Sequence, residues 1–86
     1  MAEEIRVVDY FYVEAPDAPG EAARYLTQLK EGGVNLLAFS GFPKGRRAQL
    51  DFIPSDPAAF KAVAKKARWK LVGPKKGFLI QGDDRI

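Results

Sequence analysis

Residues 15–36 read APDAPGEAARYLTQLKEGGVNL, and the order of signals in this stretch decides the fold. Ala15-Pro16-Asp17-Ala18-Pro19-Gly20 is turn chemistry, because two prolines and an aspartate interrupt whatever precedes them. An aspartate that accepts orphan N–H groups and a proline suited to a first turn prepare a helix start. The spacing predicts a helix from about Gly20 to Glu31, with Ala22, Tyr25, Leu26 and Leu29 forming one apolar stripe at i, i+3, i+4, i+7. Gly32-Gly33 ends it, since glycine accepts the left-handed backbone of a C-terminal cap.

Working outward, Ile5–Val13 is rich in valine and aromatic residues and reads as a strand, apolar on both parities and therefore covered on both faces or set in an interface. Val34–Phe42 is a second strand, Gly41–Arg46 a hairpin turn, and Arg47–Ile53 a third strand. There Ala48, Leu50 and Phe52 alternate with Gln49 and Asp51, a half-buried pattern. Asp56-Pro57 combines a cap with a proline at the first helical position. It opens a second helix to about Arg68, with Phe60, Val63, Ala64 and Ala67 on one side. Lys61, Lys65, Lys66 and Arg68 lie on the other, clustered toward the end that the helix dipole makes favourable for cations. Trp69–Val72 begins a last extended stretch, kinked at Gly73-Pro74 and continued by Lys75–Gln81. The order strand, helix, strand, strand, helix, strand, with right-handed crossovers, predicts an α+β ferredoxin-like βαββαβ sandwich: a four-stranded antiparallel sheet with two helices on one face. Strand parity puts Phe11 and Val13 toward the helices. Tyr10 and Tyr12, joined by Leu37 and Phe39, fall on the open face, which is then apolar enough to need a cover.

At 86 residues, 47% hydrophobic and 29% charged, the chain is one ordinary globular domain with a thin core. It has neither cysteine nor histidine. This excludes disulfides, thiolate and imidazole metal ligation and every Ser-His-Asp arrangement. The absence of cysteine fits a cytoplasmic protein. No stretch has the length of a membrane span. Residues 1–43 carry three basic and seven acidic groups, residues 44–86 eleven and four. This asymmetry reads first as a solvated helix face and a hairpin tip, Lys44, Arg46 and Arg47.

Two segments carry the functional signal. At the Asp17–Gly20 turn, backbone N–H groups at a helix N-terminus attract a carboxylate, and Gly20 permits close approach to the backbone. At Gly32-Gly33-Val34-Asn35-Leu36, Asn35 offers a donor and an acceptor suited to an amino-acid head group. The same residues also have purely structural readings: a helix cap at Asp17, tight turns at Gly20 and Gly33, and a local backbone bond at Asn35. Together the two segments resemble the signature of ACT domains: an Asp-x-Pro-Gly turn, a short amphipathic helix, then Gly-Val-Asn and an aliphatic residue. The resemblance spans essentially the whole chain and is moderately specific. It implies a regulatory, non-catalytic domain without cofactor or metal. Such a domain binds an amino acid or similar small metabolite at a domain or dimer interface, with Asp17, Ala18, Pro19, Gly20, Gly33, Val34 and Asn35 at the ligand. The partner is then a second copy or a tandem unit.

The C-terminal segment Phe78-Leu79-Ile80-Gln81-Gly82-Asp83-Asp84-Arg85-Ile86 is similar to Phe11–Pro19. This leads to the expectation that residues 1–86 are one ACT-like unit, with 77–86 the start of a second. Three rival readings stand beside it. An RNA-binding domain of the same topology lacks the basic-glycine-aromatic signature on strand three and carries Asp51 on the open face, which repels phosphate. An enzyme finds no carboxylate pair at a defined spacing among Asp9, Asp17, Asp51 and Asp56, and no histidine for Ser40 or Ser55. A pairing module without ligand fits the apolar open face.

Overall fold

A computed structural model of the chain describes residues 4–18 and 20–81. The elements are β1 (Glu4–Pro16), α1 (Glu21–Glu31), β2 (Leu36–Lys44), β3 (Arg47–Pro54), α2 (Pro57–Ala67) and β4 (Val72–Gln81). The four strands form one sheet in the order β2-β3-β1-β4, every neighbour antiparallel. This is the βαββαβ sandwich the sequence predicts. The rings show where the helices lie: Tyr25 of α1 sits 6.4 Å from Phe52 of β3, and Phe60 of α2 sits 4.9 Å from Phe11 of β1. Thus α1 covers the β2–β3 half of the sheet and α2 the β1–β4 half.

The core follows from strand alternation. Phe11, Val13 and Ala15 of β1 and Leu50 and Phe52 of β3 are buried against Tyr25, Leu29, Phe60 and Ala64 of the helices. Phe52 is the hub, with Phe39, Phe60 and Trp69 at 5.2, 5.3 and 6.1 Å between ring centroids. Trp69 Nε1 donates to Gln28 Oε1 at 3.1 Å, so the indole N–H is satisfied where its ring is half-buried.

Three local features differ from the sequence expectation. Phe39 points into the core, not onto the open face. The β2–β3 register slips between Leu36 and Ala38, and this bulge lets both Leu36 and Phe39 pack inward. Asp17 does not cap α1; the N-cap is Gly20 at φ 85°, without a side-chain bond. By contrast Asp56 caps α2 as expected, its carboxylate accepting from Ala58 N and Ala59 N, while Arg68 closes that helix in the left-handed conformation at φ 61°. Finally, β1 is longer than its valine-rich centre. Its C-terminal half pairs with β3 as far as Pro16↔Arg47, and its N-terminal half pairs with β4 from Glu4↔Gln81 onward. Residues 4–8 and 77–81 therefore extend past the end of β3 at Pro54 as a two-stranded ribbon, leaving Ile5, Val7 and Phe78 largely exposed.

The similarity between residues 78–86 and 11–19 lies partly on Pro19 and residues 82–86, outside the described residues; residues 78–81 complete β4. Among the described residues no helix is long and apolar enough to cross a membrane.

Candidate functional site

The turn after β1 is fixed by backbone bonds. Ala18 N donates to Pro16 O, Glu21 N to Ala18 O, and Arg24 N to Gly20 O, at 2.9, 3.3 and 3.0 Å. Gly20 takes a positive φ that other residues adopt only at a cost, and a Cβ there would meet nothing within 4 Å. The reason for glycine is therefore backbone conformation, and the space beside it is open. Because the cap has no side chain, and Glu21 N is already bonded to Ala18 O, the first-turn groups left without a capping partner among the described residues are Ala22 N and Ala23 N. Asp17 and Ala18 are exposed beside that space, and Pro19 lies outside the described residues. Cationic groups gather at this end of the sheet. Arg24 pairs with Glu21 at 2.9 Å and lies 4.8 Å from the centre of the Tyr25 ring. Lys44 pairs with Glu14 at 3.1 Å, and Arg47 donates to Glu14 O at 3.0 Å. The Glu21 carboxylate holds Arg24 above its ordinary pKa, and Glu14 does the same for Lys44.

The second segment sits at the other end of α1. Gly33, at φ 75°, donates to Lys30 O, and Val34 N donates to Leu29 O, closing the helix. Val34 is buried in the core, so its side chain anchors the segment and its backbone alone can meet a ligand. Asn35 is exposed. Its carbonyl accepts from both Ser55 N and Ser55 Oγ, at 3.0 and 3.1 Å. Among the described residues its side-chain amide makes no hydrogen bond, which leaves donor and acceptor available. Ser55, which the sequence offers only as a hydroxyl without a histidine partner, is thus what fixes the Asn35 backbone; a serine just before a capping aspartate gives no signal of a bond to a residue so far back in the chain.

The structure does not bring the two segments together within one unit. Asp17, Ala18 and Gly20 cluster at one end of α1, and Gly33, Val34 and Asn35 at the other, separated by the length of an eleven-residue helix, about 16 Å. Both ends lie along the same border of the domain, where α1 runs above the half of the sheet that ends in the unpaired outer edge of β2.

No family model matches the chain, and no curated protein is similar to it in sequence. Solved structures do match. A protein of Bacteroides thetaiotaomicron superposes with a TM-score of 0.68 at 24% identity, over 73% of this chain and 44% of that one. The ligand-free regulatory subunit of aspartate kinase from Thermus thermophilus gives 0.62 at 16%, over 96% and 56%. Formyltetrahydrofolate deformylase from Burkholderia mallei gives 0.53 at 12%, over 90% and 28%. The chain spans roughly half or less of these proteins. At these identities the likeness is one of fold; the matched structures include regulatory subunits of aspartate kinase as well as enzymes, and the resemblance read from the two motifs holds at the level of the fold.

Proposed function

We propose that this ACT-type fold serves as a regulatory module that senses an amino acid or similar small metabolite at an interface between two units. The observation that carries the reading is the split site. The turn of Asp17, Ala18 and Gly20 (with Pro19 between them) leads into the uncapped Ala22 and Ala23 N–H groups of α1, which suit a carboxylate, and Gly33, Val34 and Asn35 bring a free side-chain amide, yet one unit holds the two about 16 Å apart. A two-fold partner laid along the β2 edge sets α1 antiparallel to its copy. That operation carries the turn of one unit to the Asn35 of the other and makes two equivalent sites. The fold shared with the aspartate kinase regulatory subunit supports the regulatory role.

Thermal unfolding against the twenty amino acids and common anionic metabolites, at fixed protein concentration, tests it. A ligand at a hundred times its dissociation constant adds about 2.7 kcal/mol, and Asn35→Ala abolishes the shift. Mixing Asn35→Ala with Gly20→Val then distinguishes an interface site from a site within one unit. Random pairing restores one intact site in each mixed dimer, about one quarter of the wild-type sites; a site within one unit gives no restoration. The absence of any stabilising ligand refutes the sensor. It favours a module that only pairs, a reading the exposed Ile5, Val7 and Phe78 support.

A further inference from the structure

The open face of the sheet carries a hollow of about 250 Å³, lined by Tyr10, Ala38, Ser40, Asp51, Ile53 and Gly77 among others. Its origin is in the sequence. β2 presents the small side chains Ala38 and Ser40 here, while the ring of Phe39 between them packs against Phe52. Gly77 has none, and a Cβ on it would stand 3.0 Å from Tyr10 Cδ1, so the Tyr10 ring lies against the β4 backbone. The space between Tyr10 and β2 is left empty. The lining is mostly apolar, with one charge in it. Asp51 is half-buried, in register with Ser40 on one side and Tyr12 on the other. Its Oδ1 accepts from Gln49 Nε2 at 2.9 Å, and among the described residues it forms no ion pair. Lys75 of β4 is turned onto the Tyr12 ring, 5.5 Å from its centre.

A carboxylate set in an apolar surface without a cation is a recognition element for one, because the desolvated pair gains more than it does in bulk water. From this geometry we infer that the hollow binds a small primary ammonium with an apolar body: the ammonium on Asp51 and the Ser40 hydroxyl, the Tyr10 ring beside it, and the body against Ile53 and Ala38. The volume corresponds to about eight water molecules of liquid, enough for a short alkylammonium and too small for a peptide. The site is on the opposite side of the sheet from the helices and is independent of the interface reading.

The test is a titration of the isotopically labelled chain with n-pentylammonium, read by amide chemical shifts, with 1-pentanol and pentanoate as controls. The expected result is saturable shifts centred on Ala38, Ser40, Asp51, Ile53 and Gly77, absent with pentanoate and much weaker with pentanol. Asp51→Asn keeps the shape and removes the charge, and weakens n-pentylammonium about tenfold, the difference between a charge-assisted and a neutral hydrogen bond. Ala38→Phe fills the hollow without touching any charge and abolishes the shifts while the remaining spectrum shows the fold intact. Equal binding of pentanol, undiminished binding by Asp51→Asn, shifts centred on Gly20 and Asn35 instead, or no saturation would each overturn the inference.

Discussion

The two helices begin on different chemistry, and a pair of aspartate substitutions measures the difference. Asp56 accepts at Oδ1 from Ala58 N at 3.1 Å and Ala59 N at 3.4 Å; the second lies at the long end for such a bond, so the cap amounts to one good bond and one weak one. Asp56→Ala removes both and leaves Pro57 at the first position, and should cost about 1 kcal/mol. For a domain of this size that lowers Tm by about 4–8 °C. Asp56→Asn keeps an acceptor in place and should stay within a few tenths of a kcal/mol of the parent. Asp17 is exposed and caps nothing, so Asp17→Ala should change stability by less than about 0.5 kcal/mol. Thermal unfolding by circular dichroism, with urea titration as a second axis, reads all three. A Tm loss for Asp17→Ala equal to that for Asp56→Ala would refute the assignment of Gly20 as the cap. The result also matters for function: if Asp17→Ala is neutral to folding, any ligand response it loses is a loss of contact.

Further expectations follow from the same structure. Phe52→Ala empties the hub of the aromatic core and should cost about 3–5 kcal/mol, against a total of about 4–13 kcal/mol for a chain of this length; an urea midpoint within error of the parent would contradict the core described. Gly20→Ala should cost about 1–2 kcal/mol through the left-handed backbone alone, and Gly20→Asn should recover part of it, both read from Tm. The Glu14 carboxylate raises Lys44 above its ordinary pKa. The folded-state value is thus the higher one, so the pair's contribution is complete at neutral pH and is lost as pH rises through the raised Lys44 value. An alkaline unfolding series should show this loss in the parent and not in Glu14→Gln, although both groups are exposed and the effect is small.

Much of this architecture is legible in the sequence because local and tertiary signals agree. Asp56-Pro57 predicts α2 and opens it, and the alternation of Ala48, Leu50 and Phe52 predicts the buried side of β3 and is that side. Disagreement begins where a single residue changes the count. The bulge at Leu36–Ala38 inserts one position into β2, and nothing in Leu36-Leu37-Ala38-Phe39 marks where two-residue periodicity breaks, so Phe39 is misassigned by one face. Asp17 looks like a cap because it is the nearest aspartate to a helix, whereas the helix starts where the sequence predicts and its cap is Gly20, three residues beyond Asp17. The Asp17–Gly20 and Gly33–Asn35 segments are legible as residues, but only the placement of α1 over the edge of the sheet shows that they lie at opposite ends of one border. The hollow around Asp51 had no sequence signal: it depends on Gly77, two strands away, giving Tyr10 somewhere to lie.

The pairing of β1 with β4 has a consequence for how the chain is made. Asp9 and Lys76 are 67 residues apart yet joined at 2.6 Å across neighbouring strands, and β1 is the strand that separates β3 from β4. On the ribosome the first strand emerges early and can meet β3 once residues 47–54 are out, but its other edge stays unfilled until the last strand is released. At about 5–20 residues per second that interval lasts about 1–5 seconds, during which Ile5, Val7 and the backbone beside them face solvent with no partner of their own. The nascent chain is therefore most vulnerable to pairing with the wrong strand just before synthesis reaches β4.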